Sequence, residues 1–468
     1  MNKLLVLILL PTSLLSALDL PTSIRLALEN NVALQSERLS LSKEEISLNK
    51  AKRSEFYPEI EAKITQGETK EITWEKDEEG VERRVTTKTK DKPALELDST
   101  LSRPHPLGGK LRLNLKTTTG FQGSQDNKWE VGLESEEPLS RYQRKKAKEP
   151  LANEKLSLNI ARIDLEDKIN ETIYSCVEQY YDLQNLKISL EIKEKELKDL
   201  QDSLEISKLK AEKGIIPEMD ILQIELQISS VFNEIESLKK EEKDKLNRFG
   251  LFLGIEQTAV VESQKDNINN EIEKVRDYAS ADLEDLEKFS QIKRKRIEIE
   301  QAKRALEEAK SKNLPVFIPS YSISGDKKER QEKLSLSLSL TLYDKGIQKE
   351  EIKEAKINLS QARLELKNLL SSIKIDIAET MGDIDNRAMR LKTSEDDISL
   401  SEKLYEIARI KYERGLISAK DLLEYQRDLF TKQSNVFSEN SQLFLDYIKL
   451  IKMKGGLYDA YKENILGM

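Results

Sequence analysis

The sequence has 468 residues and a formal net charge of -8, from 77 basic residues against 85 acidic ones. This weak acidic bias is spread along the chain and argues against nucleic acid as a partner. Charged residues make up 35% of the chain and hydrophobic residues 38%, with a mean hydropathy of -0.59. No segment after the N-terminus approaches the roughly 20 apolar residues of a transmembrane helix. Any part that enters a membrane is therefore expected to be a β-barrel.

Residues 1–17 combine one positive charge, a short apolar run and a small final residue, Ala17. This pattern is typical of a secretory signal peptide, and its apolar run is too short to cross a bilayer as a helix. We expect cleavage after Ala17. No cysteine follows that position directly, so a lipid anchor is not expected there.

A helical pattern over 21–56 ends at Pro58, and the period then changes to strand-like alternation up to Pro138. One face of these strands is apolar and the other is charged. Strands with lipid on one side and water on the other have this pattern, and an exposed periplasmic sheet with one wet face is the alternative. The apolar positions of two such strands are Leu111, Leu113 and Leu115, and Trp129, Val131 and Leu133.

The next helical pattern, over 139–213, is far longer than an ordinary globular core requires, and it ends at Gly214. Glycine readily adopts the left-handed conformation that ends many helices. Pro217 is predicted to take the first position of the return helix, where its missing N–H costs nothing. The return helix extends to Gly254. The pattern therefore predicts a long helical hairpin.

The second half of the chain repeats this order. A polar linker at 255–271 is followed by a helical pattern, an alternating region and a second long helical pattern, at about 272–312, 315–343 and 344–414. Leucine and serine alternate without interruption over 334–342. Nine residues is about the length that a tilted strand needs to cross an outer membrane.

A second hairpin tip follows, where Gly415 ends one helix and Ser418 with Asp421 forms a capping box that starts the next. Gly214 and Gly415 are 201 residues apart, and the aspartates six residues after them are Asp220 and Asp421. Matching tips on two long hairpins indicate an internal duplication.

The arrangement resembles the TolC-type outer-membrane efflux and secretion tunnels over nearly the whole mature chain. Five motifs in order carry this resemblance. They are the opening 18–31, the helix-ending Pro58 with its counterpart Pro315 or Pro319, the strand-to-helix steps 137–139 and 341–343, the two Gly-x-Ile-x-x-x-Asp tips, and the Gly-Gly-Leu run 455–457.

The resemblance implies a mainly α fold with membrane β-structure. A duplicated helix-strand-strand-helix unit would form a long α-helical barrel and, in a homotrimer, a transmembrane β-barrel. The implied divisions are a first repeat at 18–254 with strands at 58–138 and a tip at 214–220, a second repeat at 272–457 with strands at 315–343 and a tip at 415–421, and a C-terminal tail at 458–468.

The function that the resemblance implies is a passive export conduit through the outer membrane and into the periplasm. It would serve a tripartite efflux pump or a type I secretion system. The implied partners are outer-membrane lipid, a periplasmic adaptor and an inner-membrane transporter. No enzyme activity, cofactor or metal site is expected, because His105 and Cys176 are the only histidine and cysteine.

Two sets of site residues follow from the resemblance. In the family, two acidic residues after the second glycine form a ring at the periplasmic mouth, and they match Asp421 and Glu424 here. An acidic ring is expected to bind cations, while helix capping by Asp421 and solvation of Glu424 stay open beside it. The family's gate latch, a tyrosine bonded to an aspartate, matches Tyr412 and Asp220, although Tyr412 also completes a heptad seam. The family's latch arginine is Ile417 here.

The first strand region is longer than the second. It covers 81 residues from Pro58 to Leu139, against 27 from Pro315 to Leu342. We expect an extra hairpin there, which puts the family's usual twelve-strand count in doubt. Two other classes of protein stay open. A periplasmic adaptor would have one hairpin beside a lipoyl-like β domain, and a structural coiled-coil envelope protein would need no alternating strands.

Overall fold

The structure is a computed structural model, and it describes residues 18–56, 59–65, 68–76, 82–90, 94–104, 110–120, 128–138, 149–214, 216–255, 268–280, 286–325 and 329–463. The predicted signal peptide at 1–17 lies outside the described residues. The chain divides into two units. The helical unit comprises Met1–Leu39, Ile163–Lys293 and Asn368–Met468, and the sheet unit comprises Ser40–Arg162 and Arg294–Lys367.

Long helices account for most of the described chain. They are α1 (Leu20–Asn30), α2 (Val32–Phe56), α3 (Glu149–Glu212), α4 (Glu218–Leu253), α5 (Ile268–Ser280), α6 (Ser290–Ser311), α7 (Ile347–Glu413), α8 (Ala419–Met453) and α9 (Leu457–Lys462). α3 has 64 residues and α7 has 67, in keeping with the two longest helical patterns. Within the described ranges, every helix is too short or too polar to cross a lipid bilayer.

The single helix predicted over 21–56 is wrong, because the chain breaks at Asn31. The Asn31 side chain accepts a hydrogen bond from Leu34 N at 3.1 Å and so caps α2, and its Nδ2 donates to the Phe252 carbonyl at 2.9 Å. Gly254 ends α4 with φ 70°, and a Cβ there would lie 2.8 Å from the Asn30 carbonyl oxygen. The break therefore lets α1 pack closely against the end of α4.

The helix predicted over 272–312 is also interrupted. α5 ends at Ser280, and a 3-10 turn at Leu286–Lys288 precedes α6. Phe289 follows this turn and is buried, so the interruption brings an aromatic side chain into the interior. The predicted linker is shorter than expected, because α5 already begins at Ile268.

Two sheets lie in the described part of the sheet unit. Their strands are β1 (Glu59–Thr65), β2 (Glu68–Lys76), β3 (Glu82–Lys90), β4 (Ala94–Pro104), β5 (Lys110–Gly120), β6 (Lys128–Pro138), β7 (Val316–Gly325) and β8 (Arg330–Ser339). Six strands form one antiparallel sheet in the order β1-β4-β5-β6-β7-β8, and β2 pairs separately with β3. The longer first region thus supplies two hairpins, of which only β4–β5 joins the main sheet.

The register of the main sheet aligns apolar residues on one face. Leu115 lies opposite Val131 and Leu113 opposite Leu133, and Leu133 lies opposite Tyr321 on β7. Many of these side chains are exposed. They are Ile60, Leu97, Leu111, Leu115, Trp129, Val131, Leu133, Tyr321, Leu334, Leu336 and Leu338, here called the apolar sheet face.

The opposite face of the main sheet is polar. Arg112 lies opposite Glu134, with 3.8 Å between guanidinium and carboxylate, and Lys116 lies opposite Glu130. Because side chains alternate between the two faces of a strand, this arrangement follows from the period-two pattern of the sequence. The strand β8 begins at Arg330, four residues before the predicted 334–342 run, and ends at Ser339.

The core of the helical unit is a cluster of aromatic and aliphatic side chains. The ring of Phe444 on α8 is fully buried and lies 5.0 Å, centre to centre, from the ring of Tyr181 on α3. Cys176 belongs to the same cluster, and burial raises the pKa of its thiol. Leu457 and Ala460 of α9 are also fully buried there. Ala460 is therefore a core residue, although it lies in the predicted C-terminal tail.

Candidate functional site

The first hairpin tip connects α3 to α4. Gly214 has φ 68°, a left-handed conformation that favours glycine, and its N–H donates to the Ala211 carbonyl at 2.9 Å. The return helix begins one residue later than predicted. Pro217 is the N-cap of α4 rather than its first helical residue, because its backbone is extended at ψ 150°, and the helix begins at Glu218.

The second tip connects α7 to α8. Gly415 has φ 71°, and the N–H of Leu416 reaches back to the Lys411 carbonyl at 2.9 Å. Ser418 is the N-cap of α8. Its side chain accepts from the Asp421 N–H while the Asp421 carboxylate accepts from the Ser418 N–H, which completes a capping box. The two tips thus end their first helices in the same way and start their second helices differently.

The hairpins pack together along equivalent positions of α3 and α7. The seam of α3 is Leu197, Leu200, Leu204, Ser207 and Ala211, and the residues 201 positions later on α7 are Ile398, Ser401, Tyr405, Ala408 and Tyr412. Ala408 and Tyr412 are buried in one cluster with Ile224 of α4 and Leu422 of α8. The tips of both hairpins therefore share one small core.

Tyr412 is the polar centre of this core. Its Oη lies 2.6 Å from Ser207 Oγ, and its carbonyl oxygen accepts a hydrogen bond from Lys210 Nζ at 2.8 Å. The same ammonium group lies 4.8 Å from the centre of the Tyr412 ring, within the range of a cation–π contact. Because Ser207 and Lys210 belong to α3, these contacts join the first hairpin to the second.

Asp220 lies at the same contact between the hairpins but has another partner. Its Oδ2 accepts from the N–H of Ala419, the first residue of α8, at 3.5 Å, the long limit of a hydrogen bond. The predicted bond between Tyr412 and Asp220 is therefore not the one that the structure forms. The seam places Ser207 beside the Tyr412 hydroxyl, and Asp220 instead approaches an unpaired N–H at a helix start.

Burial controls the ionisation of this core. It raises the pKa of Tyr412, an effect that the Ser207 hydrogen bond opposes and the Asp220 carboxylate reinforces. Burial lowers the pKa of Lys210, against the charge of Glu413. A raised pKa keeps the Tyr412 hydroxyl neutral near pH 7. The contact with Ser207 is thus a pair of neutral hydroxyls.

The predicted ring residues lie on the first turns of α8. Asp421 and Glu424 are exposed, and they line a groove of about 1020 Å³ with Leu226 and Gln227 of α4. Oδ2 of Asp421 accepts hydrogen bonds from the backbone N–H and the hydroxyl of Ser418, and the carboxylate stays in contact with solvent. Capping therefore leaves the charge of Asp421 available at the surface.

Sequence reasoning missed Ser207 and Lys210 as partners of Tyr412. The sequence did contain a signal for Ser207, because its hydroxyl lies within a mainly apolar seam. Buried hydroxyls are nearly always hydrogen-bonded, so a partner was to be expected. Ser207 lies about two helical turns before Gly214. The partner was hidden because it is 205 residues away in the chain.

No family model matches the sequence, and no curated protein matches it. Solved structures match its fold, which is that of outer-membrane channel proteins. The transmembrane channel CusC has a TM-score of 0.68 at 14% identity, over 93% of this chain and 91% of its own.

Two further channel structures have a similar fold. The outer membrane protein VceC of Vibrio cholerae has a TM-score of 0.67 at 14% identity, over 93% of this chain and 96% of its own. The outer membrane channel CmeC of Campylobacter jejuni has a TM-score of 0.65 at 14% identity, over 93% of this chain and 85% of its own. The TolC-type fold predicted from the sequence is thereby confirmed.

Proposed function

We propose that three copies of this chain form a passive export channel in the outer membrane, as part of a tripartite efflux pump or a type I secretion system. The observation that carries this proposal is the apolar sheet face. Soluble proteins rarely expose contiguous apolar patches of more than a few hundred Å². Here the exposed apolar residues extend across the main sheet from β1 to β8.

Lipid is the occupant that best fits this face. β4, β5 and β6 have 11 residues each, and β7 and β8 have 10, close to the roughly 9–11 residues of a tilted transmembrane strand. The opposite face carries the Arg112–Glu134 pair and other charged residues. An apolar outside and a polar inside are what a membrane barrel requires.

The open edges of the sheet favour several copies. β1 and β8 are its two edge strands, and unpaired edges in lipid would leave backbone groups without hydrogen bonds. Six strands are also fewer than the roughly eight of the smallest membrane barrels. Val32, Leu39 and Ile46 are exposed on α2 at seven-residue spacing, an uncovered heptad seam suited to the helix of a neighbouring copy. These features support an assembly of several copies, and the number three is what the resemblance to the TolC-type tunnels implies.

The hairpin tips support contact with further proteins. Met219, Leu222 and Leu226 of α4 and Leu416 at the second tip are exposed apolar residues. In this proposal a periplasmic adaptor docks there and connects the channel to an inner-membrane transporter, which supplies energy and selects the cargo. The chain would then lie in the outer membrane and extend into the periplasm.

The alternative functions have less support. A periplasmic adaptor would use one hairpin and would not need the apolar sheet face. A structural coiled-coil envelope protein would need neither that face nor the 11-residue strands. Fractionation and planar-bilayer recording test the proposal: we expect extraction from the outer membrane only with detergent, trimers in that detergent, and ion conductance. A monomer that stays soluble without detergent and conducts no ions would refute it.

Placing a charge on the apolar sheet face is expected to impair membrane insertion. Leu115 lies at the middle of β5 and is 43% exposed, so Leu115→Arg would cost about 2–4 kcal/mol at the centre of the bilayer. The yield of folded protein in outer-membrane fractions measures the effect. Asn114→Arg, one residue away on the polar face, is the matched control and should insert normally. Equal yields of the two variants would contradict a lipid-facing role.

Loosening the tip contact is expected to increase conductance. We propose that Tyr412 and Asp220 hold the mouth closed, each through its own bond between the hairpins. Tyr412→Phe removes the Ser207 bond and Asp220→Ala removes the Ala419 bond, each worth about 1–2 kcal/mol. Tyr425→Phe, at an exposed tyrosine of α8, is the control. If both gate variants conduct like the wild type in a planar bilayer, the latch hypothesis fails.

A further inference from the structure

We propose that the membrane barrel of this protein has eighteen strands, because each of three copies contributes six. This inference rests on the proposed trimeric channel and concerns the size of its outer opening. The twelve strands that are usual in the family require four per chain. The main sheet has six, and the additional two are β4 and β5.

The hairpin β4–β5 is paired on both sides along most of its length. β4 pairs with β1 from Ala94 to Thr100 and with β5 from Ala94 to Pro104, and β5 pairs with β6 from Lys110 to Thr118. These ladders leave no gap between β1 and β6. The hairpin is therefore part of the wall and not a flap resting against it.

The faces of β4 and β5 match those of their neighbours. Leu101 lies opposite Leu113, which lies opposite Leu133 on β6. On the other face, Asp98 lies opposite Lys116. A one-residue slip would exchange the two faces, so the shared alternation shows that this hairpin has the same apolar and polar sides as the rest of the sheet. Its apolar side is therefore suited to contact lipid and its polar side to contact water, as in the other strands.

Strand direction permits closure with this hairpin in place. All neighbouring strands of the main sheet are antiparallel. With six strands in alternating directions, β1 and β8 run in opposite directions, so β8 of one copy can pair antiparallel with β1 of the next. Four strands per chain would also satisfy this rule, since excising β4–β5 brings the oppositely directed β1 and β6 together.

The second hairpin provides an internal contrast. β2–β3 pairs only with itself in the described residues. It is inserted between Thr65 of β1 and Ala94 of β4, two residues that lie opposite each other at one end of the sheet. α2, α6 and α7 connect to the other end, through the first residues of β1 and β7 and the last of β8. Thus β2–β3 is expected to lie beyond the barrel on its extracellular side.

The additional strands change the width of the opening. Strands about 4.8 Å apart and tilted by about 40° occupy about 6.3 Å of circumference each. Twelve of them give a barrel about 24 Å across between backbones, and eighteen give about 36 Å. Barrels of 16–18 strands leave an aqueous channel. The outer opening would therefore admit cargo too bulky for a twelve-stranded barrel.

Electron cryomicroscopy of the full-length protein in lipid nanodiscs tests this count. We expect eighteen strands and a barrel about 36 Å across. Deletion of residues 94–127 removes β4–β5 and should narrow the barrel to twelve strands and about 24 Å. Deletion of residues 68–90 removes β2–β3, is the matched control, and should leave eighteen strands.

Each outcome is decisive. A trimeric barrel of twelve strands in the full-length protein, or an unchanged width after deletion of 94–127, would overturn the inference while leaving the channel function intact. If the variant that lacks residues 94–127 fails to assemble, the inference is still tested by counting strands in the full-length protein and in the variant that lacks residues 68–90. Both are expected to have eighteen. A full-length protein with no trimeric membrane barrel would instead refute the proposed function.

Discussion

Phe444→Ala is expected to lower the free energy of unfolding by about 3–5 kcal/mol, the usual cost of removing a fully buried aromatic side chain. Phe444 has no exposed surface and packs against Tyr181 in a core cluster of the helical unit. Truncation removes both the transfer energy of the ring and its contact with Tyr181. The cavity would remain, because interiors close-packed by several helices collapse only in part.

Urea unfolding followed by far-ultraviolet circular dichroism measures this loss, in detergent and at constant protein concentration. Phe232→Ala is the matched control, since Phe232 of α4 belongs to the same unit but is 53% exposed. Its truncation should cost less than about 1 kcal/mol. A similar loss for both variants would show that Phe444 is not the core position described above.

Neutralising Asp421 and Glu424 together is expected to abolish inhibition by multivalent cations. If three copies bring their tips together, six carboxylates would surround the mouth, and a trivalent cation would be held by all of them. Asp421→Ala with Glu424→Ala removes these charges. We expect the inhibitory concentration of a trivalent cation in a planar bilayer to rise by more than about 100-fold, equivalent to about 3 kcal/mol of binding.

The helix cap requires a separate control, because Asp421 also forms the capping box with Ser418. Asp421→Asn with Glu424→Gln keeps side chains of similar size, and asparagine can still accept a hydrogen bond at the start of a helix. Both pairs of substitutions should remove inhibition equally if charge is responsible. Inhibition that persists in both would rule out the acidic ring. Loss in the alanine pair alone would assign the effect to the cap.

Local signals in the sequence predicted much of this protein. The left-handed glycines at 214 and 415 and the capping box at Ser418 depend on residues within one turn of each other, so their chemistry can be recognised without the fold. The change of period after Pro58 separates helix from strand for the same reason. The alternation on β5 and β6 also determines which residues share a face.

The tertiary structure decided which segments meet. Asn31 breaks a helical pattern because its side chain donates a hydrogen bond to the Phe252 carbonyl. Tyr412 pairs with Ser207 rather than Asp220 because the seam between α3 and α7 brings the two hydroxyls together. The first strand region supplies two additional hairpins, yet only β4–β5 enters the main sheet. A period of two specifies the faces of a strand but not its neighbours. Those depend on hydrogen bonds between segments that are distant in the chain.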